Sequence, residues 1–177
     1  MTRHLAALAA ATIAALGLQA CVSVGAYFGA TTPPNDRTLI LANQSEPRSL
    51  DPHKTAGVPE ANVMLNLYDC LTTYDPNTGE PIPCLATSWE QNADASVWTF
   101  HLRHEATWTD GKPLTAEDFV YSWRRMIDPA TASPYANLLY YVKNGEALND
   151  GSNQDPTTLG VRAVDPYTLE VTMERPT

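Results

Sequence analysis

Apolar and polar positions alternate with two different periods along this chain, and the change of period marks its elements. Val97-Trp98-Thr99-Phe100-His101-Leu102 repeats every two residues, placing Trp98, Phe100 and Leu102 on one face. That is the pattern of a half-buried strand. Val161 and Ala163, then Asp165-Pro166, then Leu169, Val171 and Met173 give the same period on both sides of a turn, which predicts a hairpin. From Glu60, the positions Val63, Met64, Leu67 and Leu71 recur at helical spacing. A helix with one packed face is expected there, with Pro59 in the first turn, where a proline does no harm. Phe119, Val120, Trp123 and Ile127 predict a second helix, and Thr115 with Asp118 forms a capping box before it.

Turn chemistry separates these runs. Asp75-Pro76-Asn77-Thr78-Gly79 and Thr109-Asp110-Gly111-Lys112-Pro113 are dense in residues that fix φ or accept φ > 0, so the chain reverses at both. Asp51-Pro52 and Gly57-Val58-Pro59 interrupt regular structure, and exposed, extended backbone is expected between them. Thr38-Leu39-Ile40-Leu41 suits a short buried strand and opens the folded part. Residues 21–37, with Thr31-Thr32-Pro33-Pro34-Asn35-Asp36, read as a tether.

The N-terminus changes the picture from a plain globular chain to an exported one. Arg3 precedes an apolar Ala/Leu/Ile stretch from Leu5 to Leu18 that is too short to span a bilayer comfortably. Residues 1–20 are therefore expected to be a signal peptide. Leu18-Gln19-Ala20-Cys21 resembles a lipobox, so Cys21 is the expected lipid attachment point; a plain cut near Ala20 or Ala30 is the alternative. Either route leaves the mature chain in the periplasm or cell envelope. In an oxidising compartment Cys70 and Cys84 can pair across the thirteen residues between them, or stay as two buried free thiols.

Composition narrows the functional classes. The 177 residues are 44% hydrophobic and 18% charged with 14 Pro, which fits a globular protein with many turns. A formal charge of −9 argues against nucleic acid as a partner, because phosphate binding needs clustered Lys and Arg. Catalytic readings are poor. His101 and His104, three apart on the expected strand, point to opposite faces and make no metal site with Glu105. His53 beside Asp51 is an acid–base pair in form, yet no nucleophile motif accompanies it, so it reads as a solvated loop histidine. Asp110, Glu117 and Asp118 sit at a turn and a helix start, where backbone donors explain them. No phosphate-cradling Gly-rich loop is present, and no cofactor is expected.

From Leu39 to Glu174 a series of motifs stands in a recognisable order. They include Ser49-Leu50-Asp51-Pro52-His53-Lys54, Gly57-Val58-Pro59-Glu60, Trp108-Thr109-Asp110-Gly111, Asp118-Phe119-Val120-Tyr121-Ser122-Trp123 and Thr131-Ala132-Ser133-Pro134-Tyr135-Ala136. With the strand at Val97 to Arg103, they resemble the peptide-binding members of family 5 of the extracellular solute-binding proteins. The resemblance implies an α/β chain, residues 38–177 forming the N-terminal portion of a two-lobed periplasmic-binding-protein (type II) fold. It also implies a non-enzymatic protein that holds an extended oligopeptide through main-chain hydrogen bonds and delivers it to inner-membrane ABC permease subunits; the alternatives are same-family binding of another solute, such as a dipeptide, nickel chelate or sugar, and a truncated lipoprotein module that binds no solute. The segment that lies alongside the peptide maps to Ala56, Gly57 and Val58, and the ligand-contacting tyrosine maps to Tyr135. Ala56 stands where the peptide-binding relative has an acidic residue, and Cys70 and Cys84 have no counterparts there. The family is about three times longer, so the chain is expected to stop before the second lobe, to carry part of a site and to bind peptide weakly or not at all.

Overall fold

The structure is a computed structural model and describes Asn43 and residues 45–176. The expected signal peptide, lipid-bearing Cys21, tether and strand at Thr38-Leu41 lie outside the described residues.

A loop from Ser45 leads into helix α1, Val58–Leu67, followed by a two-stranded hairpin of β1, Thr72–Tyr74, and β2, Pro81–Pro83. The Asp75–Gly79 turn closes it. The Asp75 carboxylate accepts the Asn77 N–H at 2.7 Å, and Gly79 takes φ +73, a conformation glycine adopts without steric cost.

A four-stranded antiparallel sheet follows, in the order β3, β4, β6, β5, made of Ala86–Gln91, Val97–Leu102, Thr168–Thr172 and Val161–Asp165. The period-two pattern of the sequence sorts its faces. Phe100 pairs with Trp89 on one side and Leu169 on the other, and Trp98 pairs with Val171. All five stand on the face that belongs to the core cluster. The opposite face is polar, with Arg162 paired to Glu170 by register and by an ion pair of 2.6 Å.

Helix α2, Ala116–Ile127, packs on the apolar face, most extensively over β5 and β6. Its capping box forms as the sequence predicts, the Asp118 carboxylate accepting the Thr115 N–H at 2.7 Å. Ala116, Val120 and Ile127 are buried against Leu102, Val161, Leu169 and Val171. The 3₁₀ segment Ala136–Tyr141 and the short helix α3, Gly145–Asn149, close one end of this core with Ala136, Leu139 and Leu148. Asn149 Nδ2 donates to the Ile127 carbonyl at 2.9 Å, satisfying one of the acceptors left at the α2 C-terminus. Gly145 is required by close approach, since a Cβ there would lie 2.0 Å from the Leu139 carbonyl oxygen.

Two local expectations differ from the structure. Helix α1 starts at Val58, with Pro59 in its first turn as expected, but it ends at Leu67 with Tyr68 extended, so Leu71 is not on it. Its apolar side is also largely uncovered among the described residues, with Leu65 and Leu67 exposed and only Val63 and Met64 half-buried. No second layer of the described chain packs across it, and periodicity alone cannot supply that layer. Strand β4 ends at Leu102, so His104 is beyond the strand and its position is not set by pleat alternation.

Candidate functional site

The loop before α1 is held by side chains rather than by a regular ladder. The Asp51 carboxylate takes Arg125 Nη1 at 2.8 Å and Arg125 Nη2 at 2.5 Å, a bidentate pair reaching to the last turn of α2. Its Oδ1 also accepts the His53 N–H at 3.1 Å. The Arg125 guanidinium approaches His53 Nδ1 at 2.5 Å, and the other ring nitrogen, Nε2, lies 3.0 Å from Ser122 Oγ. Arg125 has only donors, so Nδ1 accepts and Nε2 carries the proton donated to Ser122. That is a neutral imidazole. Its pKa is lowered, first by burial and then by the Arg125 charge. The Asp51 carboxyl is held well below the usual carboxylate range, chiefly by the Arg125 hydrogen bonds.

His53 is thus half-buried in a network, not the solvated loop histidine expected from sequence. Arg125 was not singled out by sequence reasoning. Ser122 and Arg125 are three apart on α2 and therefore share a face, and that spacing was the available signal. Glu60 was also missed. Its carboxylate accepts the Arg48 N–H at 2.8 Å and its side chain is buried against the α1 entry. A Cβ on Gly57 would meet Glu60 Oε2 at 2.2 Å, so the glycine lets the carboxylate sit against the backbone.

These contacts set the segment that the family resemblance selects. Gly57 is extended, with φ −104 and ψ 161. Ala56, Gly57 and Val58 are exposed, and their N–H groups find no acceptor among the described residues. Tyr135, 79 positions further on, donates its hydroxyl to the Ala56 carbonyl at 3.3 Å. The structure therefore brings all four residues together. Ala56 and Gly57 line a groove of about 360 Å³ with Arg48, Lys54 and Glu60. On the other side of the Asp51 loop a wider cleft of about 640 Å³ is lined by Asp51, His53, Tyr68, Trp108, Tyr121 and Arg125. Trp108, Tyr121 and Tyr135 are exposed aromatic side chains.

The other candidates lie elsewhere. His101 Nε2 contacts the Glu90 carboxylate at 3.1 Å on the polar sheet face, whereas His104 stacks on Tyr167 with ring centroids 4.0 Å apart. The two imidazoles have separate partners. Cys70 is exposed, Cys84 is half-buried, and both are unbonded.

Comparison with known proteins identifies the family. Residues 80–177 match the family model described as bacterial extracellular solute-binding proteins, family 5 middle. The chain is 51% identical over 142 residues to the periplasmic oligopeptide-binding protein OppA of Escherichia coli, covering 79% of this chain and 26% of that protein. It is 45% identical over 140 residues to the periplasmic murein peptide-binding protein MppA of the same organism, covering 78% and 26%. The solved Haemophilus influenzae OppA complex with the peptide RPPGFSPFR superposes with a TM-score of 0.70 at 47% identity, covering 76% of this chain and 26% of that one. The chain spans about a quarter of the length of these relatives. It belongs to family 5 of the bacterial extracellular solute-binding proteins.

Proposed function

We propose that this chain contributes to the capture of oligopeptides outside the inner membrane for import by an ABC permease. The observation that carries the reading is the Tyr135 to Ala56 hydrogen bond, which holds exposed Ala56 and extended Gly57 beside a groove, just ahead of Val58 at the start of α1. Backbone donors in extended conformation can pair with a peptide main chain as an added strand would, giving affinity that tolerates many side chains. The relatives named for oligopeptide and murein peptide binding support the same ligand class.

The remaining assignments belong to this reading. Residues 1–20 direct export, Cys21 carries lipid and residues 21–37 act as the tether. The protein works in the periplasm or cell envelope, with inner-membrane permease subunits as partners and no enzymatic activity of its own. The test is thermal stability of residues 22–177 with and without a pool of two- to five-residue peptides, since a ligand that prefers the native state raises the melting temperature. A saturable rise supports peptide capture by these residues. No rise in a cooperatively folding sample rejects capture by this chain alone.

A further inference from the structure

We propose that Cys70 and Cys84 form an intramolecular disulfide that clips the wall of the 640 Å³ cleft, an inference that rests on the reading of this chain as exported. Cys70 precedes β1 and Cys84 follows β2, so the two stand at the open end of a hairpin whose last register pair is Thr72 with Pro83. Beyond that pair the backbones stay together, with Leu85 N–H donating to the Cys70 carbonyl at 2.9 Å and Ala86 N–H to the Leu71 carbonyl at 2.8 Å. Adjacent strands lie about 4.8 Å apart, within the range of Cα separations that a disulfide spans.

Register alone would put the two side chains one residue out of step and on opposite faces. The bend at Cys84-Leu85, closed by a Cys84 N–H to Ala86 carbonyl bond of 3.2 Å, breaks the alternation, so the pleat no longer holds Cys84 on the face opposite Cys70. Arg103 Nε holds the Cys84 carbonyl at 2.9 Å, so this side of the pair is fixed. With Cys70 exposed and Cys84 half-buried, an oxidant can reach the pair.

The local structure has a use for such a link. The hairpin has three register pairs, and Pro81 and Pro83 of β2 lack N–H donors. Tyr68 and Asp69, just before Cys70, line the cleft, as does Leu85, just after Cys84. Joining the two sulfurs ties the exit of α1 to the start of β3 across that weak ladder.

In the reaction each thiol loses a proton and an Sγ–Sγ bond forms. The two electrons pass to the S–S bond of a disulfide oxidant, which is cleaved to two thiols. Burial and the Cys84 thiol raise the Cys70 thiol above its ordinary value, which calls for an external oxidant rather than a spontaneously reactive thiolate.

The test is to hold the full folded chain in oxidised glutathione, alkylate it and cleave its Asp–Pro bonds in mild acid, which leaves disulfides intact. Cleavage at Asp75-Pro76 separates Cys70 from Cys84, and Cys21 lies on a different fragment. The expected result is that the 52–75 and 76–128 fragments stay joined until reduced, and that reduction lowers the melting temperature by about 10 °C. Cys70→Ser and Cys84→Ser should reproduce that lowering without further change on reduction. Two alkylated thiols, glutathione adducts alone, a bond to Cys21 or an unchanged melting temperature would overturn the clip. Calorimetric peptide titration of the oxidised and reduced chains is read separately, so loss of peptide binding leaves the linkage result standing.

Discussion

The Tyr135 hydroxyl donates to the carbonyl of Ala56, 3.3 Å away, joining two segments 79 residues apart in the chain. Because Tyr135 is exposed, little core packing depends on its ring, and the bond acts mainly on the local backbone. Tyr135→Phe keeps the ring and removes the donor. The expected outcome is a loss of peptide affinity of about 3- to 10-fold, the size of one net hydrogen bond, with the melting temperature nearly unchanged. Isothermal calorimetry and a thermal melt check the two halves of this expectation, and an unaltered affinity would remove Tyr135 from the site.

Asp51 and Arg125 form the bidentate pair that ties the pre-helix loop to α2, with their side chains about a quarter to a third exposed. Removing one partner leaves the other charge partly desolvated and two hydrogen bonds unmade. Asp51→Asn is expected to cost about 2 kcal/mol, and Arg125→Gln to destabilise in the same direction. The double variant should cost much less than the sum, because both changes break the same contact. Denaturant unfolding of the four proteins measures this coupling, and strictly additive losses would contradict it.

The same network predicts how stability responds to acid. His53 has a folded pKa below its ordinary 6.5, so the unfolded chain binds its proton first as pH falls. Its contribution is therefore complete above about pH 6.5 and declines below it. Asp51 is also depressed, from an ordinary 3.8, and its contribution is present above that value and lost as pH falls through the lower folded pKa. Stability should decline in two stages on acidification, the first setting in as pH falls through about 6.5. His53→Gln is expected to flatten that first stage and leave the second, as read from melting temperature against pH.

Leu169 is fully buried and pairs with Phe100 in the sheet centre, under α2. Leu169→Ala is expected to cost about 3 kcal/mol through lost burial and an unfilled cavity. Leu65→Ala, on the exposed side of α1, should change stability by less than about 0.5 kcal/mol in this chain. Urea unfolding compares them directly.

Much of this fold was legible in the sequence because its strongest signals are local. Pleat alternation placed β4 and the β5–β6 hairpin, the Thr115/Asp118 pair placed the start of α2, and Asp and Gly chemistry placed the turns. Each depends on residues within a few positions of one another. The motifs of the family resemblance point to Ala56, Gly57, Val58 and Tyr135 as peptide contacts, and of these the fold joins Tyr135 to Ala56 by a hydrogen bond.

Tertiary structure decided what depends on partners distant in the chain. Whether α1 has a packed face is a property of the layer beside it, and an amphipathic spacing is the same with or without that layer. The neutral state of His53 follows from Arg125 and Ser122, about seventy positions away. The backbone around Cys84 follows from a bend that breaks the alternation sequence would assume. Sequence by itself determined β4, the β5–β6 hairpin, the start of α2 and the turns, and pointed to the family; only the folded chain decided which charges pair, which imidazole is buried and which carbonyl Tyr135 holds, because those free energies arise when long-range contacts close.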